Sequence, residues 1–329
     1  MRWVVLTDDH PPAVGGVARF TASTADALRD AGHEVTVYAR ARPGLVGALP
    51  VHGPSYARRG GLWAGVRALP ELARADAVLA TTWPLATTTA RWHPAVHVVA
   101  HGSDVTRAAL RPTALGPTWR RAAGRWAVSG FLVSVLGRHN IAAQVLPMPI
   151  TPAAPRRIRG SMGTLGLIAR ATSLKGGDRF VRLVRALGAR GLVIGEGPAL
   201  SEWVALAQRL GADVSFLGRR SHAHVLAALA AMDAVVLVPR PAPDGSGAEG
   251  LGLALLEAAG ASVPVIGCAV GGVPEALGPG LLLTDPDDPT RSASQVRGWW
   301  TPDRGAEARA WLVATHGPGR TVAALCGVR

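Results

Sequence analysis

Two carboxylates eight residues apart, Glu249 and Glu257, stand in the segment PDGSGAEGLGLALLEAAGASVPVIG. On a helix that spacing is a rise of about 12 Å, enough for the two groups to touch hydroxyls at opposite ends of one elongated ligand. Gly250 and Gly252 open the expected helix, so Glu249 can face a ligand while nearby amides point at an anion. Glu257 interrupts the apolar run LALLEAAGA, and a carboxylate among packed neighbours needs hydrogen-bond donors. The competing reading is an ordinary cap at Glu249 and a solvent-facing Glu257. Upstream, the run TLGLIA is followed by Arg170 and, five residues on, by Lys175 in the loop SLKGG, before a helix expected from Asp178. Cations at the carboxyl end of a parallel strand are placed to neutralise a pyrophosphate. Lys175 is the only lysine among 35 basic residues, so its identity is not a product of the arginine bias of the chain.

A second glycine turn, Gly15-Gly16 in TDDHPPAVGGVARF, follows the first apolar run and leads into an expected helix, where backbone amides can approach an anion closely. Read alone, it is equally a tight strand-to-helix turn. It does not fit the dinucleotide fingerprint G-x-G-x-x-G, and no Walker-type G-K-S/T occurs.

Continuous apolar runs of strand length set the frame for these residues. They fall at 3–7, 35–39, 77–81 and 96–100 in the first half, and at 164–169, 191–195, 214–218, 234–238 and 264–268 in the second. Runs of this kind, alternating with helical stretches, describe parallel strands covered on both faces and joined by helical crossovers. The expected fold class is α/β, two doubly wound parallel sheets with ligand crevices at their strand carboxyl ends. The proline-rich stretch LPMPITPAAPRRIRGS at 146–161 marks the linker, giving domains 1–155 and 156–329.

At 329 residues, with 48% hydrophobic and 17% charged residues, the chain has material for two buried cores and none of the composition of a disordered protein. The net charge of +13 suits acidic partners, although 34 of the basic residues are arginines spread along the whole chain, which compositional bias also explains. Cys268 and Cys326 are far apart and in no metal-like spacing, so neither a disulfide framework nor a metal site is expected. The start MRWVVLTDDHPP lacks the pattern of a secretory leader, and the longest apolar stretches are shorter than the roughly 20 residues of a membrane span. A cytoplasmic protein is expected.

The motifs together resemble glycosyltransferase family 4, retaining enzymes of GT-B fold. AEGLGLALLE is similar to the family's E-x7-E motif. The similarity continues through Pro264-Val265-Ile266 and Gly271-Gly272-Val273-Pro274-Glu275, and through ARATSLKGG, VIGEGP, VSFLGR, PPAVGGVARF and AHGSDV. HGSDV and the Glu249 region look closest to the phosphatidylinositol mannosyltransferase-like branch. The resemblance implies a GT-B architecture, two Rossmann-like domains facing a central cleft, with an acceptor-side N-terminal domain and a donor-binding C-terminal domain. It implies that Gly15 and Gly16 approach the donor phosphates and that Arg170 and Lys175 bind the diphosphate. Glu257 then holds the ribose and Glu249 the transferred sugar, assisted by backbone at Gly252 and Leu253, while His101 lies near the reacting sugar. Asp104 receives no role. The implied reaction is transfer from a GDP- or UDP-linked sugar to a hydroxyl of a lipid-linked, cyclitol or natural-product acceptor, with no cofactor and no essential metal. The chain departs from the family in its small turn Gly260-Ala261-Ser262 and in a segment after residue 285 without an evident long closing helix.

Two stretches mixing Arg with Trp and Leu, 58–74 and 107–126, are candidates for peripheral contact with an anionic membrane. They read equally well as ordinary helices with arginines on their exposed positions. Two other classes compete with transfer: a GT-B-fold sugar-nucleotide epimerase, and a nicotinamide-dependent oxidoreductase using GEGPAL at 195–200. The second lacks the final glycine of its fingerprint. Nucleic-acid binding rests on charge alone, with no recognition motif.

Overall fold

The computed structural model of the chain describes residues 1–51, 69–107, 112–154, 162–243 and 247–327. Residue 155, where the sequence places the domain boundary, lies outside them, as do 58–68 and 108–111 of the two basic stretches. Two compact units form: Met1–Pro149 with His316–Arg329, and Ile150–Thr315. Where the sequence reading has one crossing between domains, the structure has two, because the last residues return to the first unit.

The first unit holds a seven-stranded sheet: β1 (Arg2–Thr7), β2 (Glu34–Arg40), β3 (Leu49–Val51), β4 (Ala77–Ala80), β5 (Val96–Ala100), β6 (Gly124–Ala127) and β7 (Gln144–Val145). Their order is β3-β2-β1-β4-β5-β6-β7, with parallel pairing throughout. The second unit holds six strands, β8 (Thr164–Ile168), β9 (Arg190–Ile194), β10 (Val214–Phe216), β11 (Ala234–Leu237), β12 (Val265–Cys268) and β13 (Leu281–Leu283), ordered β10-β9-β8-β11-β12-β13 and again parallel. Each apolar run read from the sequence coincides with a strand. The central ones, such as Val78, Leu79, Val235 and Val236, are fully buried, as strands covered on both faces must be. The strand order reverses between β1 and β4 in one sheet and between β8 and β11 in the other. Those are the points where doubly wound sheets bind ligands, beyond the strand carboxyl ends.

The segment after residue 285 is more helical than its composition suggests, with helices Pro289–Trp299, Arg304–His316 and Pro318–Cys326. Asp288 caps the first by accepting from the Thr290 and Arg291 amides. The last helix packs on the helix Gly16–Asp30, and Thr321 Oγ1 donates to the Pro147 carbonyl at 2.7 Å. No described helix is long and apolar enough to cross a membrane. In the described part of 107–126 the tryptophans do not face outward. Trp119 is fully buried, and Trp126 stacks on His97 and donates to its Nδ1 at 3.1 Å. That part therefore presents Arg120 and Arg121 without the aromatic half of a membrane-facing surface.

Candidate functional site

In the second unit the sheet reversal gathers most of the residues singled out from sequence. Beyond β8 the chain runs Ala169-Arg170-Ala171, held by the next loop: Ala169 N donates to Ile194 O at 3.1 Å and Ala171 N to Glu196 O at 2.8 Å. Arg170 is exposed between these ties, and its guanidinium makes no hydrogen bond or ion pair among the described residues. A 3₁₀ turn, Ser173–Lys175, then brings the chain to Gly176, which has φ 68° and whose Cβ, if present, would lie 2.0 Å from the Val238 carbonyl oxygen. Only glycine combines that left-handed backbone with so close an approach. The helix Gly177–Leu187 follows.

Lys175 Nζ forms a short ion pair with Glu249 Oε2, both groups mostly withdrawn from solvent. The two residues lie 74 positions apart in sequence, and separate devices fix each partner. On the lysine side, Arg240 N donates to Leu174 O at 2.8 Å. On the glutamate side, Gly271 has φ 59°, and a Cβ there would stand 2.1 Å from Glu249 O, while Gly272 N donates to the same oxygen at 2.9 Å. The pair Gly271-Gly272 thus sets where the Glu249 backbone sits.

Glu249 is not on the helix that carries Glu257, as the spacing argument assumed. The helix is Leu253–Gly260, and it starts only after Gly252, whose φ of 103° breaks helical continuity. No side chain caps this helix and no acid stands in its first turn, so its leading amides, Leu253 first, are open to an anion. Glu257 lies within it, its side chain 10% exposed, with Oε1 3.6 Å from His222 Nδ1.

A charged cluster behind the lysine loop went unread in the sequence. Arg240 binds both oxygens of Asp178, at 2.6 and 2.9 Å, and reaches Asp287 at 2.9 Å. Arg179, buried in the helix after Lys175, donates to Asp287 and to the carbonyls of Val238 and Pro239. These bonds, from Arg179 first, hold the Asp287 carboxyl down at about 2. Arg240 is shifted upward, chiefly by its hydrogen bond with Asp178. The cluster joins the start of the helix after Lys175 to the chain beyond β11. Its only trace in the sequence is acid and base at remote positions.

In the first unit, Gly15 and Gly16 stand at the start of the helix Gly16–Asp30, which has no side-chain cap and no acid in its first turn. A Cβ at either glycine would meet no protein atom within 4 Å, so packing does not demand glycine here and the backbone is open to close approach. Thr7, Thr21 and Thr81 interlock beneath, at 3.2 and 3.0 Å, tying that helix to the ends of β1 and β4. His101 follows β5, with Phe20 edge-on to its ring at 4.7 Å. Its Nε2 is buried without a hydrogen bond among the described residues, and burial lowers the ring to about 4, against a weaker pull from the Thr81 backbone. The residue keeps some surface, so this burial belongs to the ring nitrogen rather than to the whole side chain. Asp104 supports His101 from below, accepting from the amides of His101 at 3.1 Å and Gly102 at 2.7 Å. Burial raises its carboxyl to about 6 despite those bonds.

The structure thus brings Lys175 and Glu249 into contact, sets Arg170, Gly252 and the helix start at Leu253 at the same sheet reversal, and gives Glu257 a histidine neighbour. Gly15, Gly16 and His101 belong to the other unit. Comparison with known proteins accounts for both halves. Residues 14–152 match the family model described as Glycosyltransferase Family 4, and residues 163–301 match that described as Glycosyl transferases group 1. Over 152 residues, 42% of the chain, it is 34% identical to a GDP-mannose-dependent monoacylated alpha-(1-6)-phosphatidylinositol monomannoside mannosyltransferase of Corynebacterium glutamicum. Over 121 residues, 36% of the chain, it is 35% identical to the N-acetyl-alpha-D-glucosaminyl L-malate synthase of Bacillus anthracis. The matched stretches span 40% and 29% of those relatives. Among solved structures, Anabaena Alr3699/HepE in complex with UDP and glucose aligns over 98% of this chain and 97% of its own, with TM-score 0.74 and 17% identity. WaaG, a glycosyltransferase involved in lipopolysaccharide biosynthesis, covers 99% of each chain at TM-score 0.69 and 19% identity. The fold is that of GT-B glycosyltransferases.

Proposed function

Because the chain belongs to the family 4 and group 1 glycosyltransferases, we propose that it transfers a sugar from a nucleoside diphosphate sugar to an acceptor hydroxyl. The observation that carries this reading is the Lys175–Glu249 pair at the reversal point of a parallel sheet, with exposed Arg170 five residues before the lysine and the uncapped helix starting at Leu253, four residues after the glutamate. Cations and amides of this kind suit a diphosphate, and the carboxylates Glu249 and Glu257 suit sugar and ribose hydroxyls.

In this reading the diphosphate is the leaving group, and the main catalytic task is to hold the charge that grows on it as the glycosidic bond breaks. Arg170 and Lys175 do that with fixed positive charge, which leaves no task for a divalent cation. Glu249, tethered by Lys175 and by the Gly271-Gly272 backbone, orients the sugar. The acceptor hydroxyl attacks on the face from which the diphosphate departs, so configuration is retained. His101, neutral at physiological pH because of its burial, serves the acceptor side as a hydrogen-bonding group. The Corynebacterium relative supports a GDP-linked donor and an inositol-lipid type of acceptor, and the Anabaena structure supports a UDP-linked donor. A cyclitol or natural-product hydroxyl fits the same chemistry.

Thermal unfolding in a panel of UDP- and GDP-sugars, with NAD and NADP as controls, tests the reading. At least one nucleotide sugar should raise the unfolding temperature by several degrees, and neither dinucleotide should. Stabilisation by a dinucleotide alone would overturn the proposal.

A further inference from the structure

We infer that His222 is a positioning residue for the Glu257 carboxylate, and through it for the donor ribose. The inference rests on the donor reading above. His222, in SHAHV, belongs to none of the motifs that the sequence offers. In the structure it opens the helix His222–Leu229, between β10 and β11, whereas Glu257 lies on the helix between β11 and β12.

The helix that carries Glu257 is closely packed. Leu255, Leu256, Ala258 and Ala259 are fully buried, and the Glu257 side chain is itself only 10% exposed. A carboxylate so withdrawn takes its orientation from the polar groups around it. His222 supplies one from a different element, with Nδ1 3.6 Å from Oε1 and a ring 30% exposed. That distance is longer than a direct hydrogen bond and within the range of an ion pair. The His222 backbone is also anchored. Ser221 caps the helix, its Oγ accepting from the His224 amide and lying 2.6 Å from His224 Nδ1. A ring on a capped first turn thus meets Glu257 from outside its own helix and sets the carboxylate before a ribose arrives. The same geometry places the chain around Ser221 and His222 at the nucleoside end of the donor.

The test is calorimetric and kinetic, on the full chain, with whichever of GDP and UDP the wild-type protein binds and with its 2′,3′-dideoxy counterpart. Four proteins are compared: wild type, Glu257→Gln, His222→Ala and His222→Asn. In His222→Ala the donor KM should rise about tenfold, the scale of a lost hydrogen bond to a charged group, with kcat within twofold. The penalty for removing the ribose hydroxyls should shrink in the same variant. Asn, whose side-chain amide can stand where Nδ1 stands, should restore most of the affinity. If Glu257→Gln weakens binding while His222→Ala leaves affinity and the dideoxy penalty untouched, the role given to His222 is wrong and the donor reading stands. If Glu257→Gln itself changes nothing, or neither nucleotide binds the wild type, the donor reading fails and this inference falls with it.

Discussion

Replacing Lys175 with alanine removes the cation that pairs with Glu249 and, in the proposed reaction, faces the departing diphosphate. Two costs are separable. Coulomb attraction between unit charges about 4 Å apart at an effective dielectric near 20 is roughly 4 kcal/mol, an upper bound for a side chain that keeps some exposure. Loss of one preorganised stabilising group in other enzymes costs about 3 kcal/mol, so turnover should fall about a hundredfold or somewhat more. The second cost falls on the fold, since Glu249 loses its cation while only 13% exposed. An unmatched, partly buried carboxylate costs about 1–3 kcal/mol, equivalent to a drop of several degrees in the unfolding temperature of this unit. Glu249→Gln in the Lys175→Ala background removes that charge and should recover stability without recovering turnover. Lys175→Arg keeps the charge but brings a wide planar head to a loop pinned by Gly176 against Val238, and should lose about tenfold in kcat with donor affinity largely kept. The assay is steady-state transfer with the donor found by thermal shift, read beside calorimetric unfolding. A folded Lys175→Ala protein within threefold of wild-type kcat/KM would refute the assignment.

Other outcomes follow from the same geometry. Gly271→Ala places a Cβ 2.1 Å from the Glu249 carbonyl oxygen at a φ of 59°, so it should lower stability by about 1–3 kcal/mol and reduce turnover more than donor binding; an unchanged protein by both measures contradicts the role given to this turn. The first unit should be acid-labile. His97, His101 and His316 are each lowered by burial from 6.5 to about 4, so the unfolded chain takes up protons that the fold refuses, and stability falls as pH drops from 6.5 towards 4. Asp104, raised to about 6, works the other way between about 6 and 3.8 and offsets part of one histidine. Asp287, held near 2, withdraws its support only below 3.8, so calorimetry across pH should show the first unit melting earlier, and His316→Asn should flatten the slope. A melting temperature constant between pH 7 and 5 would count against this. Transfer should survive incubation with EDTA within twofold, and activity restored only by a divalent cation would rule out the fixed-cation mechanism.

Sequence patterns reveal this fold unevenly, for physical reasons. The central strands are doubly covered, so their apolar runs are continuous and visible, as in AVVLV at 234–238. β3, β6 and β7 are two to four residues long and contain Pro50, Arg125 or Gln144, so no run marks them, and β13, though it reads LLL, is only three residues long. Lys175 was legible because a lone lysine in an arginine-rich chain is improbable by composition. Its pairing with Glu249 was not, since that contact depends on how two loops 74 residues apart meet over one sheet. The helix-rise argument for Glu249 and Glu257 failed at Gly252, whose positive φ ends helical geometry before Glu249 is reached. Arg179, Arg240, Asp178 and Asp287 look like ordinary surface charge until tertiary structure draws them together. His222 has the same character.

The return of the chain to the first unit after Thr315 makes that unit discontinuous. During synthesis, residues 1–149 leave the ribosome with the helix Gly16–Asp30 lacking the partner that covers it, because Pro318–Cys326 is made only after the whole of 150–315. Vectorial folding therefore runs out of register with domain order: the second unit has all its residues first, and the first is sealed last. Until then the surface of Gly16–Asp30 that Pro318–Cys326 covers stays open on the nascent chain, so the first unit is completed only after the second has been made.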